Sequence, residues 1–190
     1  MDTRERLVRC TQALLWERGY VGTSPAAIQK RAGVGQGSMY HHFASKSDLA
    51  LAAIQRCSLQ IRSLVEKQFA GDGTVYERIE NYLLSERKVL RGCQIGRLTQ
   101  DPDIRANPIL RQPVEETFTW VRCRMMDILQ EGQASGELSP QLDIEDVAEM
   151  IMSVLQGGIV LALAAGDERP YYRACKGMLS MLNLAKNQEK

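Results

Sequence analysis

Apolar residues along this chain recur every three to four positions, and no stretch alternates apolar with polar long enough to make a strand. Leu7, Val8, Cys10, Thr11, Leu14 and Leu15 share one face of a first helix, which Gly19 stops. Asp2-Thr3-Arg4-Glu5 reads as a capping box, with Glu5 reaching back to the helix start. Ser24-Pro25 opens a brief second helix, because serine caps well and proline is preorganised for the first helical position. Ile28 and Ala32 face inward there, and Gln29, Lys30 and Arg31 outward. Gly33-Val34-Gly35 then turns the chain, with Val34 as a buried pin. In the third segment, Gln36 to His42, Met39 and Phe43 are spaced to share the inner face, which leaves Gln36, Ser38, Tyr40 and His41 pointing out.

Ser45 caps a helix that continues on Leu49, Ala53, Ile54, Cys57, Ile61 and Val65 to about Phe69. At 1.5 Å per residue that is roughly 24 residues and about 36 Å. Thr74 caps the next, through Val75, Ile79, Tyr82, Leu83 and Leu90 to a stop at Gly92. Cys93 to Leu98 is a short glycine-flanked segment, and Asp101-Pro102-Asp103 and Asn107-Pro108 read as loops. A long helix from Pro108 to about Gln133 tolerates Pro113 in its first turns. Asp143 or Ile144 opens another, closed by Gly166-Asp167, and Arg169-Pro170 begins the last, with a polar tail from Asn183. The expectation is an all-α chain of about nine helices. A helix-turn-helix domain occupies 1–47, and a larger helical domain occupies 48–190.

Composition sharpens this in one respect. The net charge is +1, which by itself predicts no polyanion partner. Residues 1–47, however, hold seven Lys/Arg against three acids, while the remainder holds 17 against 20. A basic module on a mildly acidic body fits DNA binding. The five cysteines are far apart and form no C-x-x-C, so neither a zinc site nor a disulfide framework is suggested. The longest uninterrupted apolar run, roughly Gly157 to Gly166, is shorter than the about 20 residues a bilayer needs. A cytoplasmic protein without a membrane partner is expected.

The third segment carries the candidate chemistry. A helix with so little aliphatic surface, set after a tight turn, is the kind that enters a DNA major groove. Gly35 and Gly37 let backbone approach phosphate, and helix-start N–H groups favour an anion. Gln36 and Ser38 are suited to base edges, glutamine to adenine N6/N7 in particular. Tyr40 and His41 supply phosphate, sugar or methyl contacts, and Lys46 is a point charge for a phosphate. Ser24, at the start of the second helix, completes the DNA-contact set. No metal or cofactor is expected. His41 and His42 are the only histidines and diverge by about 100° on a helix. Gly33-x-Gly35-x-Gly37 follows a helix rather than a strand, so it is no nucleotide loop.

At these residues the chain resembles the tetracycline-repressor (TetR) family of bacterial transcription regulators. The matching pattern runs from Leu14 through Arg18-Gly19-Tyr20, Thr23-Ser24, Ile28, Ala32-Gly33-Val34 and Gly37-Ser38-Met39-Tyr40-His41-His42-Phe43 to Ser45-Lys46 and Leu49. The resemblance implies a homodimer, a double-stranded operator with two half-sites, and a small-molecule effector that releases the DNA. It also implies backbone-gripping roles at Tyr40, His41 and Lys46. Pro25-Ala26-Ala27 departs from the polar or acidic residues often found there, so fewer contacts are expected from the second helix. Gly92-Cys93-Gln94-Ile95-Gly96 is similar to a Gly-Cys-Leu-bearing segment of one branch whose members include electrophile sensors, with glutamine here after the cysteine.

An effector pocket is expected between the middle helices, with apolar and aromatic walls and a few polar groups. Its candidates are Tyr82, Leu83, Cys93, Leu98, Trp120, Arg124, Met125, Met152 and Gln156. The last two helices carry Ala148, Ser153, Gly157, Gly158, Ala162, Ala165 and Ala174 beside larger apolar residues, which suits close pairing with symmetry mates in a four-helix bundle. The sequence thus reads as a dimeric, ligand-responsive repressor and not an enzyme. Three alternatives stay open: sensing at Cys93, for which Arg91 and Arg97 are near in sequence, a cysteine-dependent enzyme, and a helix-turn-helix module used for protein contacts rather than DNA.

Overall fold

Serine, proline and glycine punctuation sets the first three helices. Helix α1 (Thr3–Arg18) ends at Gly19, whose φ of 73° is left-handed backbone that favours glycine. Helix α2 (Pro25–Ala32) starts as its sequence predicts: Ser24 accepts from the Ala27 N–H, and proline stands at the first helical position. It closes at Gly33, in the left-handed region at φ 61°. Helix α3 (Gln36–His42) follows, anchored by Met39 and Phe43, which are 0% and 6% exposed. Val34, expected as a buried pin, is half-buried.

The computed structural model describes residues 2–186. Nine α-helices lie among these residues, with two short 3-10 turns and one isolated bridge between Leu138 and Lys186. After α3 come α4 (Lys46–Phe69), α5 (Val75–Leu84), α6 (Pro102–Ala106), α7 (Pro108–Ala134), α8 (Ile144–Ala165) and α9 (Arg169–Leu184). The chain divides into two compact units, each built from two stretches. One is Met1–Ile61 with Cys93–Thr117, the other Arg62–Gly92 with Phe118–Lys190.

In the first unit, Leu7, Leu14, Ile28, Met39, Leu49 and Ile54 are at most 2% exposed. Full burial of each such side chain stabilises by about 1.5–3 kcal/mol. Ser58 and Thr117 add a buried polar pair, Oγ to Oγ1 at 2.6 Å, and both hydroxyls turn toward the Pro113 carbonyl. In the second unit, α5 begins with a complete capping box between Thr74 and Glu77. Its next two N–H groups, of Val75 and Tyr76, go to the Glu137 carboxylate at 2.7 and 2.8 Å. Helices α8 and α9 pack closely because Gly158 lets Tyr171 in: a Cβ there would stand 3.2–3.3 Å from Tyr171.

Four further sequence expectations need correction. The capping box of α1 does not form, because Glu5 is held instead by Arg56, and Asp2 makes no side-chain cap bond. Helix α5 stops at Leu84 rather than near Gly92. Ser85 and Arg87 donate to the Tyr82 carbonyl and Tyr171 to that of Leu83, so side chains end the ladder. Asp101-Pro102-Asp103 is not a loop but the start of α6, with Asp101 as N-cap. Finally, α8 as a whole is long and apolar enough, by length and composition, to cross a membrane, with a mean hydropathy of 1.9 over its best window. Counting only the uninterrupted run missed this. That window is 39% buried within the chain.

Candidate nucleic-acid interface

Helix α3 presents Gln36, Ser38, Tyr40 and His41 outward, all exposed, while Met39 holds its inner face. The His41 and His42 rings meet edge to face at 5.1 Å. Gly35 and Gly37 are both exposed, and a Cβ on either would meet nothing within 4 Å. Packing inside the chain therefore does not demand glycine at 35 or 37. What glycine leaves open there is close approach from outside. Ser24 is exposed and spends an oxygen lone pair on its cap. Arg31 is paired with Glu17 at 2.5 and 2.9 Å, which raises its pKa, and Arg4 lies over the Phe43 ring at 5.1 Å.

Lys46 is placed differently from a free surface charge. It is half-buried, donates to the Tyr20 carbonyl at 2.8 Å, and its Nζ stands 3.8 Å from the centre of the Tyr20 ring. Burial lowers its pKa against the pull of Asp103 and Asp101. The Tyr20 phenol is shifted up by burial and is hydrogen-bonded to Ser47. Sequence reading missed the group that fixes this corner. Asp101, 8% exposed, accepts from the Tyr20 and Val21 N–H groups at 2.7 and 3.0 Å, and from those of Asp103 and Ile104 at 3.2 and 3.3 Å. The one available signal was the Asp-Pro pair, which repeats the cap-then-proline pattern of Ser24-Pro25.

The candidate effector residues fall in both units. In the first, Leu98 is 2% exposed, and half-buried Cys93 accepts the Gly96 N–H on its sulfur at 3.2 Å. Nearby Cys57 donates to Gln94 Oε1 at 3.1 Å, and burial pushes its thiol up to about 12. In the second unit Leu83 and Met125 are fully buried, and Tyr82 packs on Phe69 with ring centres 5.1 Å apart. Trp120 lies under the Arg62 guanidinium, and Arg124 is engaged by Glu66 and Asp127. Met152 and Gln156 do come together. They line an open hollow of about 330 Å³ with Phe118, Arg122, Glu149 and Ser153.

An all-helical chain whose second and third helices form a turn, with the third exposing polar and aromatic residues, defines a helix-turn-helix regulator. The family model described as bacterial regulatory proteins, tetR family, matches residues 7–53. The model of the tetracyclin repressor-like C-terminal domain matches 74–178. The chain belongs to the TetR family of DNA-binding transcription regulators. It is similar to the transcriptional regulator AcuR of Cereibacter sphaeroides, 29% identical over 83% of this chain and 75% of that protein. It also resembles the transcriptional repressor NemR of Escherichia coli, at 31% over 52% of this chain and 49% of NemR. A TetR regulator structure from Chloroflexus aurantiacus superposes with a TM-score of 0.89 at 28% identity, covering 98% of this chain and 97% of that one.

Proposed function

We propose that this chain is a homodimeric, ligand-responsive repressor that binds an operator through α3 and is released by a small molecule. The observation that carries the DNA assignment is the pairing of exposed Gln36, Ser38, Tyr40 and His41 with two glycines that internal packing does not require. Residues 1–47 are the DNA-binding domain in this reading, with Gln36 and Ser38 on base edges and Ser24, Gly35, Gly37, Tyr40, His41 and Lys46 on the backbone. Residues 48–190 bind effector and dimerise. The word repressor in the name of NemR supports the sign of regulation.

Dimerisation is supported by two unpartnered stripes. On α8, Met150, Ser153, Gly157, Val160 and Leu161 are exposed in helical register; on α9, Gly177, Met181 and Leu184 are. Gly157 and Gly177 have open space at Cβ, unlike Gly158, which internal packing uses. Ala148 and Ala162 are fully buried and so serve the chain's own core. A second copy covering these stripes accounts for the apolar character of α8 without a membrane and fits a cytoplasmic protein. Met152 and Gln156, beside the α8 stripe, are two effector candidates that line one cavity.

The test is selection of a duplex from a random-sequence pool by the full-length protein, followed by fluorescence anisotropy. Two half-sites with centres one helical turn apart, about 34 Å, and steep salt dependence are expected. Failure to enrich any sequence overturns the reading. Thiol-based sensing at Cys93 is a second reading, favoured by the Gly96 N–H aimed at its sulfur. Use of that cysteine by an enzyme is the least supported, since His41 and His42 belong to α3.

A further inference from the structure

Asp101 is the one buried carboxylate in a chain of contacts that begins in the segment carrying Cys93 and Leu98 and ends at the start of α4. It sits three residues after Leu98, whose carbonyl accepts the Asp101 N–H at 3.2 Å. One carboxylate oxygen, Oδ1, caps α6 through the Asp103 and Ile104 amides. The other, Oδ2, gathers the Tyr20 and Val21 amides, about 80 residues away in sequence. On the far side of the same Tyr20 peptide unit, the carbonyl holds the Lys46 ammonium, and the Tyr20 ring lies against that ammonium. Gly19 completes the arrangement: a Cβ there would come within 2.9 Å of Oδ2. All of these groups belong to the same compact unit.

We infer that Asp101 is a positioning residue for DNA binding, fixing the Tyr20–Val21 turn so that Lys46 is held in place to meet an operator phosphate. The inference rests on the reading of Lys46 as a phosphate contact. An ammonium has three N–H donors. The Tyr20 carbonyl takes one and the Tyr20 ring faces the ammonium from another side, which orients the side chain and leaves its remaining donor for an oxyanion. A long flexible lysine ordered before DNA arrives does not lose that freedom on binding. The order comes from Tyr20, and Tyr20 is fixed by Asp101. A carboxylate is needed because it is acceptor-only, with lone pairs enough for four N–H groups. Asparagine would turn its NH2 against one of the two amide pairs, and serine caps α6 but is too short to reach Tyr20.

The experiment measures affinity of the full-length protein for its selected duplex across a salt series, for the wild type, D101S, K46A and the double variant. Each phosphate contact contributes about 0.9 to the log–log salt slope, so losing one per protomer lowers a dimer's slope by about 1.8. K46A is expected to show that fall. D101S is expected to show the same fall with at least a tenfold loss of affinity at low salt, and the double variant no further fall. A D101S slope equal to wild type, with K46A reduced, overturns the role of Asp101. An additive fall in the double variant does so too. A K46A slope equal to wild type instead removes the phosphate role of Lys46, and the inference with it. Where D101S melts below the assay temperature, the whole salt series is run for all four proteins at a temperature below that melting point, with the same expectations.

Discussion

Tyr171 and Leu83 are joined by a buried hydrogen bond between residues 88 apart in sequence, the phenol O–H donating to the Leu83 carbonyl at 3.0 Å. The bond satisfies an orphan carbonyl in the last turn of α5 and ties that turn to α9. The same burial drives the phenol's pKa well above its usual range. Replacing Tyr171 with Phe keeps the ring and leaves the carbonyl without its donor. A loss of about 1–2 kcal/mol is expected. Urea unfolding measures it, and a variant as stable as wild type would mean that water or Arg87 takes over the carbonyl.

The adjacent glycines of α8 have different surroundings, so the same substitution has opposite effects on the chain. At Gly158 an added Cβ meets the Tyr171 backbone at 3.3 Å, and α9 must move away. G158A is expected to destabilise by about 1–3 kcal/mol despite the helix propensity gained. At Gly157 nothing lies within 4 Å, so G157A stabilises the isolated chain slightly. In the proposed dimer a large residue there, G157L, is expected to raise the dissociation constant at least tenfold. Sedimentation velocity over a concentration series reads this directly. A G157L protein that dimerises like wild type removes the α8 stripe from the interface.

Glycine at 37 permits a similar separation of fold from function. With open space at its Cβ and a helical position in the first turn of α3, G37A is expected to hold or slightly raise the melting temperature. It is also expected to weaken DNA binding, because the methyl occupies the space a phosphate or base edge would fill. Q36A, in contrast, is expected to change which duplex is selected, since a bidentate glutamine–adenine pair discriminates by about 1–3 kcal/mol. Selection from the random pool repeated with each variant distinguishes the two. An unchanged selected sequence for Q36A assigns base reading to Ser38 or to the residues of α2.

The residues that were legible from sequence are those whose structural reason is local. Ser24-Pro25, Gly33, the Met39–Phe43 pair and Ser45 each act within four residues of themselves, and the pattern of α1 to α4 follows from them. What escaped was decided at long range. The local spacing points Glu5 back to its own helix start, but Arg56 competes for it from 51 residues away. Leu90 continues the spacing of α5, yet the helix has already ended on donors from Arg87 and from Tyr171, which lies in α9. Asp101-Pro102 had the right local signature for a helix start. With Asn107-Pro108 following closely, it left room for little more than one turn and so no apolar period to notice. Residue type and region point to effector candidates in both units, and Met152 and Gln156 line one hollow together with Phe118 and Arg122, a juxtaposition that no local spacing encodes.

Cys57 provides a test by pH. Burial pushes its thiol up to about 12, with Cys93 nearby adding to the shift. In the unfolded chain the thiol ionises near its ordinary value of 9.0, so between the two values the unfolded state has lost a proton that the folded state keeps. Stability contributed by the neutral thiol is therefore complete below pH 9 and is lost progressively as the pH rises toward about 12. Replacing Cys57 with Ala costs stability at neutral pH through the cavity and the lost bond to Gln94, but it should flatten the alkaline decline. Unfolding free energies at pH 7.5 and 10.5, each by urea titration in the absence of DNA, give the comparison, with roughly 1–2 kcal/mol less decline expected in C57A. The same burial makes Cys57 slow toward iodoacetamide, whereas half-buried Cys93 and exposed Cys123 react first. Equal alkaline slopes in the two proteins, together with early alkylation at Cys57, would show that the α4 segment around it opens readily and that the thiol is not held neutral by the fold.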